Sequence, residues 1–188
     1  TASTSSMVFV ANKGQITDQY NRPRKDINYK MAAAGVTLYI GNGQLHYQWH
    51  RPGTAPEKGK PAPAKATGRD TLYRMDVELV GADKNAVAIA EAPHSYTENY
   101  YLPQCPNGIT AGSYGRITYK DVYPNIDWVL YAGEDGGMKY DFVVHPGGNP
   151  AQIKLRYSGA TALQLRAGTA MATTPYGSIT EGAPYSYM

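Results

Sequence analysis

Cysteine is nearly absent from this chain. Cys105 stands alone among 188 residues, so no internal disulfide can form, and no Cys-x-x-Cys or Cys/His grouping exists to hold zinc. As a nucleophile it is equally isolated, because it lies in the turn sequence Pro103-Gln104-Cys105-Pro106-Asn107-Gly108 with no neighbouring histidine or acid to activate it. Phenylalanine is scarce too: two Phe stand against seventeen Tyr. Tyrosine suits half-exposed strand positions, where the ring packs and the hydroxyl stays wet, so a tyrosine-rich sheet is either ordinary strand surface or a face for glycan or protein. No apolar run reaches the ~18 residues that a membrane-spanning helix needs, and no membrane-spanning segment is expected. Charge of one sign is missing as well. The net charge is only +3 and the basic residues are scattered, which excludes the cationic stripe expected of a nucleic-acid binder. Helical periodicity is absent: Met31-Ala32-Ala33-Ala34 is the one helix-like spot, and Gly35 ends it within a turn.

What the chain does contain is alternation. Met138, Tyr140, Phe142 and Val144 fall on one face and Lys139, Asp141 and His145 on the other. Ile153, Leu155 and Tyr157 alternate with Gln152, Lys154 and Arg156, and Tyr73, Met75, Val77 and Leu79 with Arg74, Asp76 and Glu78. A period of two describes half-buried strands. The pattern predicts strands near 7–11, 27–32, 36–40, 44–50, 71–80, 86–91, 94–101, 114–120, 126–132, 138–145, 151–157, 161–167, 169–174 and 177–181. Gly41-Asn42-Gly43 marks a hairpin, since glycine and asparagine supply the positive φ of a tight turn. Glu134-Asp135-Gly136-Gly137, Ala167-Gly168-Thr169 and Tyr176-Gly177 mark three more. Many short strands with turn residues between them predict an all-β, antiparallel β-sandwich-like fold with almost no helix, formed by residues 1–188 as a single β-rich domain. The absence of a fixed repeat argues against a propeller or solenoid within the chain. Residues 52–70, rich in Pro, Ala and Lys, have nothing to bury and read as a mobile loop; the functional alternative is a basic arm on an anionic polymer.

Candidate chemistry is thin. His46 and His50 share one side of a strand, roughly 13 Å apart, too far to share a metal. No His-Glu-x-x-His or Gly-x-Ser-x-Gly motif occurs, and no glycine cluster fits a phosphate loop. Asp127, Glu134, Asp135 and Asp141 surround one hairpin and invite a calcium or glycosidase reading. Glu134 and Asp135 read better as turn residues, and Asp127 and Asp141 as outward-facing strand positions. No catalytic residue, metal site or cofactor is therefore expected. The candidate ligand-binding residues are Trp49, Tyr47 and Trp128, aromatics that would stack on sugar rings if exposed. Their parity, with Leu45 and with Ile126 and Leu130, places them instead in the core.

Several motifs occur in one order along the chain. These are Phe9-Val10-Ala11-Asn12-Lys13-Gly14-Gln15, Asn99-Tyr100-Tyr101, Asp121-Val122-Tyr123-Pro124-Asn125-Ile126-Asp127, Lys139-Tyr140-Asp141-Phe142, Pro146-Gly147-Gly148-Asn149-Pro150, and the closing Ile179 to Tyr187. Together they resemble the domain of unknown function that precedes SBBP (beta-propeller) repeats in large secreted proteins of Bacteroidota-type bacteria. Ala11 departs from that pattern, where Glu is usual. The resemblance implies a secreted or cell-surface β-rich module with downstream domains on the same polypeptide, and it carries no catalytic residues over. The small polar start, TASTSS, fits an end left by removal of a leader.

The reading from sequence is thus a non-enzymatic extracellular structural or adhesive module, with a glycan-binding module and a hydrolase with an unrecognised acid pair as alternatives. Asn12 to Gln15 read as a turn whose side chains satisfy nearby backbone. The family pattern continues past the closing tyrosine, so the chain reads as C-terminally incomplete, and a strand near 184–188 would leave an open edge for strand exchange with a second molecule.

Overall fold

The computed structural model describes residues 7–33, 35–53, 70–103, 105–133, 137–183 and 186. The expected loop at 52–70, the turn at Glu134 to Gly136 and the strand near 184–188 lie largely or wholly outside them. Thirteen strands are formed among the described residues: β1 (Phe9–Ala11), β2 (Tyr29–Ala33), β3 (Val36–Gly41), β4 (Gln44–Arg51), β5 (Thr71–Leu79), β6 (Ala88–Leu102), β7 (Cys105–Tyr123), β8 (Ile126–Ala132), β9 (Met138–Val144), β10 (Leu155–Ser158), β11 (Ala162–Arg166), β12 (Thr169–Thr174) and β13 (Gly177–Glu181). Every pairing is antiparallel. No α-helix occurs among the described residues; one 3-10 turn spans Pro150–Gln152.

Three elements differ from the sequence reading. Segments 86–91 and 94–101 are one strand, β6, bent by a bulge between His94 and Thr97. Pro93 does not break it, because among the described residues β6 pairs only with β7 and an edge strand can lack an N–H on its open side. Strand β7 runs beyond the expected 114–120 at both ends, carried at its start by pairing with β6 and at its end by the Tyr123–Ile126 pair with β8. The strand expected from 151 begins at Leu155, because Asn149 accepts a hydrogen bond from the Ala151 N–H and Pro150 opens a turn, the usual capping chemistry of those two residues.

The large sheet runs β10-β5-β4-β3-β2-β1-β7-β8-β9, with β6 added on β7. Tyr114 and Ser113 of β7 pair with β1 on one side and β6 on the other, and residues 116–119 pair with β8 and β6 in the same way. Strands β1 and β8 therefore share one edge of β7 in tandem. That arrangement lets a continuous sheet fold into two layers, β10 to β1 and β6 to β9, whose inner faces make one core. Ile40, Leu45 and Met75 from the first layer and Ile117, Ile126, Trp128 and Leu130 from the second belong to it. Each fully buried aliphatic side chain of this size contributes ~1.5–3 kcal/mol.

The small sheet, β11-β12-β13, closes one end. Ala172 is buried in the core and Ile179 packs on it, Tyr176 stacks on Tyr73 at 5.5 Å, and Arg51 lies over the Tyr176 ring at 4.5 Å. Leu163 and Leu165 pair with Ala172 and Ala170, so they belong to the same inner face. They are nevertheless 55% and 78% exposed, because β11 overhangs the core.

Candidate functional site

The aromatic candidates are interior. Trp128 is 1% exposed, Tyr47 7% and Trp49 8%. Trp128 lies between Tyr119 and Tyr140, with ring centroids at 5.4 and 6.2 Å, and Tyr47 stacks against Trp49 at 6.1 Å. Burial, then the Glu181 carboxylate, pushes the Tyr47 hydroxyl pKa up. These side chains fill the core, and no sugar ring can stack on them while the fold is intact.

Asp127 is a correction to the sequence reading. Its side chain points to the outer face of β8, as expected, yet the residue is 3% exposed. The reason is the bulge where β7 leaves the β8 ladder, between Tyr119 and Tyr123. Asp127 accepts a hydrogen bond from the Asp121 N–H at 2.9 Å, pairs with Lys120, and lies 2.8 Å from His145 Nε2. Burial alone would raise its pKa, but Lys120, then His145, then the Asp121 N–H outweigh it and bring it to about 2. It is an anchor that stays charged above about pH 2. His46 is likewise buried on an outward-facing position, 2.7 Å from Asp76, which also receives Arg74 Nε at 2.7 Å. Burial opposes the Asp76 charge, and His46 and Arg74 prevail and lower its pKa. In both sets the carboxylate is held by its own basic partners.

A different feature stays open to solvent. Between β1 and β2 the chain makes a long excursion, and its start is fixed by two side chains. Asn12 Nδ2 donates to the carbonyls of Arg24 and Ile27 at 2.9 and 2.8 Å, while Asn12 Oδ1 accepts from the N–H groups of Gly14 and Ile16 at 3.0 and 3.4 Å. Gln15 accepts from the Lys13 N–H at 2.6 Å and donates to the Ala11 carbonyl at 2.8 Å. The turn expected at Asn12 to Gln15 is thus present, and its side chains do satisfy backbone. At the far end Arg24 forms a two-point pair with Asp26, at 2.7 and 2.5 Å, and this pairing chiefly raises the Arg24 pKa.

The excursion and the start of β6 enclose a groove of about 530 Å³. Lys13, Arg24 and Lys25 line it, Ala86 to Ala88 form one wall, and no acidic residue is among its described lining. Asn28 lies at its edge, its amide oxygen held by the Tyr119 hydroxyl at 3.0 Å. No local pattern joins Lys13 to Lys25, since the Asn12 bonds that bring the two segments together act across twelve and fifteen residues. The one available signal was a basic residue embedded in each of two polar runs, Asn-Lys-Gly-Gln and Arg-Pro-Arg-Lys-Asp.

Fold and groove define a class: an antiparallel β-sandwich scaffold with a solvent-open cationic groove. The chain belongs to a family described as Domain of unknown function (DUF7948), whose model matches residues 9–188. No curated protein and no solved structure matches it.

Proposed function

We propose that this chain is a non-enzymatic extracellular structural or adhesive module of a larger secreted or cell-surface bacterial protein, of the kind that precedes SBBP repeats. The motif resemblance supports the setting, and the contrast between two sheet edges carries the structural role. Among the described residues strand β6 has no partner on its outer edge, and that edge is guarded: Ala92 has φ 51°, Pro93 follows it, and a bulge separates His94 from Thr97. Such devices prevent a foreign strand from adding. Strand β11, Ala162-Leu163-Gln164-Leu165-Arg166, also pairs on one side only among the described residues, yet it has neither proline nor bulge and presents two exposed leucines on its core-side face. An unguarded edge with alternating apolar side chains is the template for strand addition. The occupant in this reading is a strand from a neighbouring domain of the same polypeptide.

Hydrogen exchange tests this directly. Amides of 162–166 are expected to exchange fast in the 188-residue chain and slowly in the native longer polypeptide. Equal exchange in both would count against docking, and protection that rises with concentration of the isolated chain would assign the edge to a second copy instead. Protease treatment of intact cells producing the native protein tests the location, with cleavage expected before lysis.

A further inference from the structure

We propose that the groove between Asn12–Gly14, Pro23–Tyr29 and Ala86–Ala88 binds an anionic polysaccharide, with Lys13 and Lys25 receiving its carboxylate or sulfate groups. The argument begins with what the neighbouring residues already do. Asn12 and Gln15, on either side of Lys13, use their side chains on backbone. Arg24 and Asp26, on either side of Lys25, are paired with each other. Lys13 and Lys25 are exposed and have no side-chain partner among the described residues. Two free cations are thus held at the rim of one groove by segments whose own bonding is complete, so little backbone ordering remains to be done on binding.

The lining decides the sign of the ligand. Arg24 is already paired with Asp26, so the two lysines set the charge of the groove, and no acidic residue is among its described lining, which favours an anion at any pH where the lysines are charged. The form of the groove decides between polymers. Peptide recognition on a β-protein uses an open strand edge or deep apolar pockets. Here β1 is paired on both sides by β2 and β7, and β2 by β1 and β3; of the apolar lining, Ala11, Ile27 and Tyr29 are buried, which leaves Pro23 and the small wall at Ala86 to Ala88. A shallow polar groove rimmed by cations fits a hydrated, charged glycan. This reading takes only its setting from the adhesive function proposed above.

Titration calorimetry on the whole chain at low salt, with polygalacturonate, chondroitin sulfate and neutral dextran as probes, tests it. Binding is expected to one or both anionic polymers and not to dextran, and the one bound distinguishes carboxylate from sulfate. Affinity should fall with added salt. Lys13→Gln and Lys25→Gln should each weaken binding roughly threefold and the double variant about tenfold, as exposed ion pairs do, while Lys154→Gln, an equal charge change elsewhere, should leave it within about twofold. No binding to either anionic polymer, an equal loss with Lys154→Gln, or equally tight lysine-dependent binding of polyglutamate would overturn the proposal. None of these outcomes bears on exchange at β11, so the two readings fail separately.

Discussion

At the scale of single residues, the side chains that matter most are polar ones that finish backbone bonding. Asn12 makes four hydrogen bonds to main-chain groups. Asn12→Ala leaves those groups without their partner, and about 2–3 kcal/mol of stability should be lost, read as a lower urea midpoint. Asn12→Asp should not rescue it, because a carboxylate keeps the two acceptor bonds and loses both donor bonds. Asp127 yields a pH prediction. Its folded pKa of about 2 lies below the ordinary 3.8, so the charged form is favoured by folding. The stabilisation, ~2 kcal/mol, is present above about pH 4 and disappears as pH falls through about 2. Asp127→Asn should therefore be less stable than the parent at neutral pH, and the gap in urea midpoint should close on acidification. The burial of Asp127 was not legible in its strand parity. Alternation tells which face a residue occupies, and the bulge that covers it is set by how two distant strands diverge.

Among elements, the strands were largely legible and their neighbours were not. The Gly41-Asn42-Gly43 hairpin forms as the turn residues require, with Asn42 at φ 51° and Gly43 at φ 68°. The register that follows, Ile40 against Leu45 and Leu38 against Tyr47, keeps every apolar side chain on one face. Gly41 has a second role that sequence did not disclose. A Cβ there would come within 2.0 Å of the Asp26 carbonyl oxygen, because the β1–β2 excursion crosses β3 at that point. Gly41→Ala should cost about 2 kcal/mol or more by forcing the backbones apart, measured by thermal or urea unfolding. The β11–β12 turn allows the opposite change. Ala167 sits at φ 48° in a two-residue connection to Gly168, a conformation that asparagine tolerates and alanine does not. Ala167→Asn should raise stability by about 1 kcal/mol, visible as a higher melting temperature.

For the whole molecule, the seam between the small sheet and the sandwich is the part held by few polar contacts. Tyr140 of β9 donates to Glu181 of β13, and Tyr157 lies beside the same carboxylate, its pKa raised by burial and then by Glu181. The Tyr140 pKa is pushed up by burial and then by the Glu181 charge. Tyr140→Phe removes the donor from a buried carboxylate and should cost about 3 kcal/mol, with amides of β12 and β13 losing exchange protection before those of β3 and β4. By itself the sequence determined the strand class, the core-facing parity of Tyr47, Trp49 and Trp128, and the turn at Asn12 to Gln15. Each of these follows from local rules, namely a side-chain period of two and the bonding habits of glycine, asparagine and glutamine. Only the tertiary structure decided that β1 and β8 share one edge of β7, that Asp127 and His46 are covered on the outer face, and that Lys13 and Lys25 rim one groove. Those outcomes depend on which distant segments lie against each other, and a period read along the chain fixes a residue's side of the sheet without fixing what comes to lie on it.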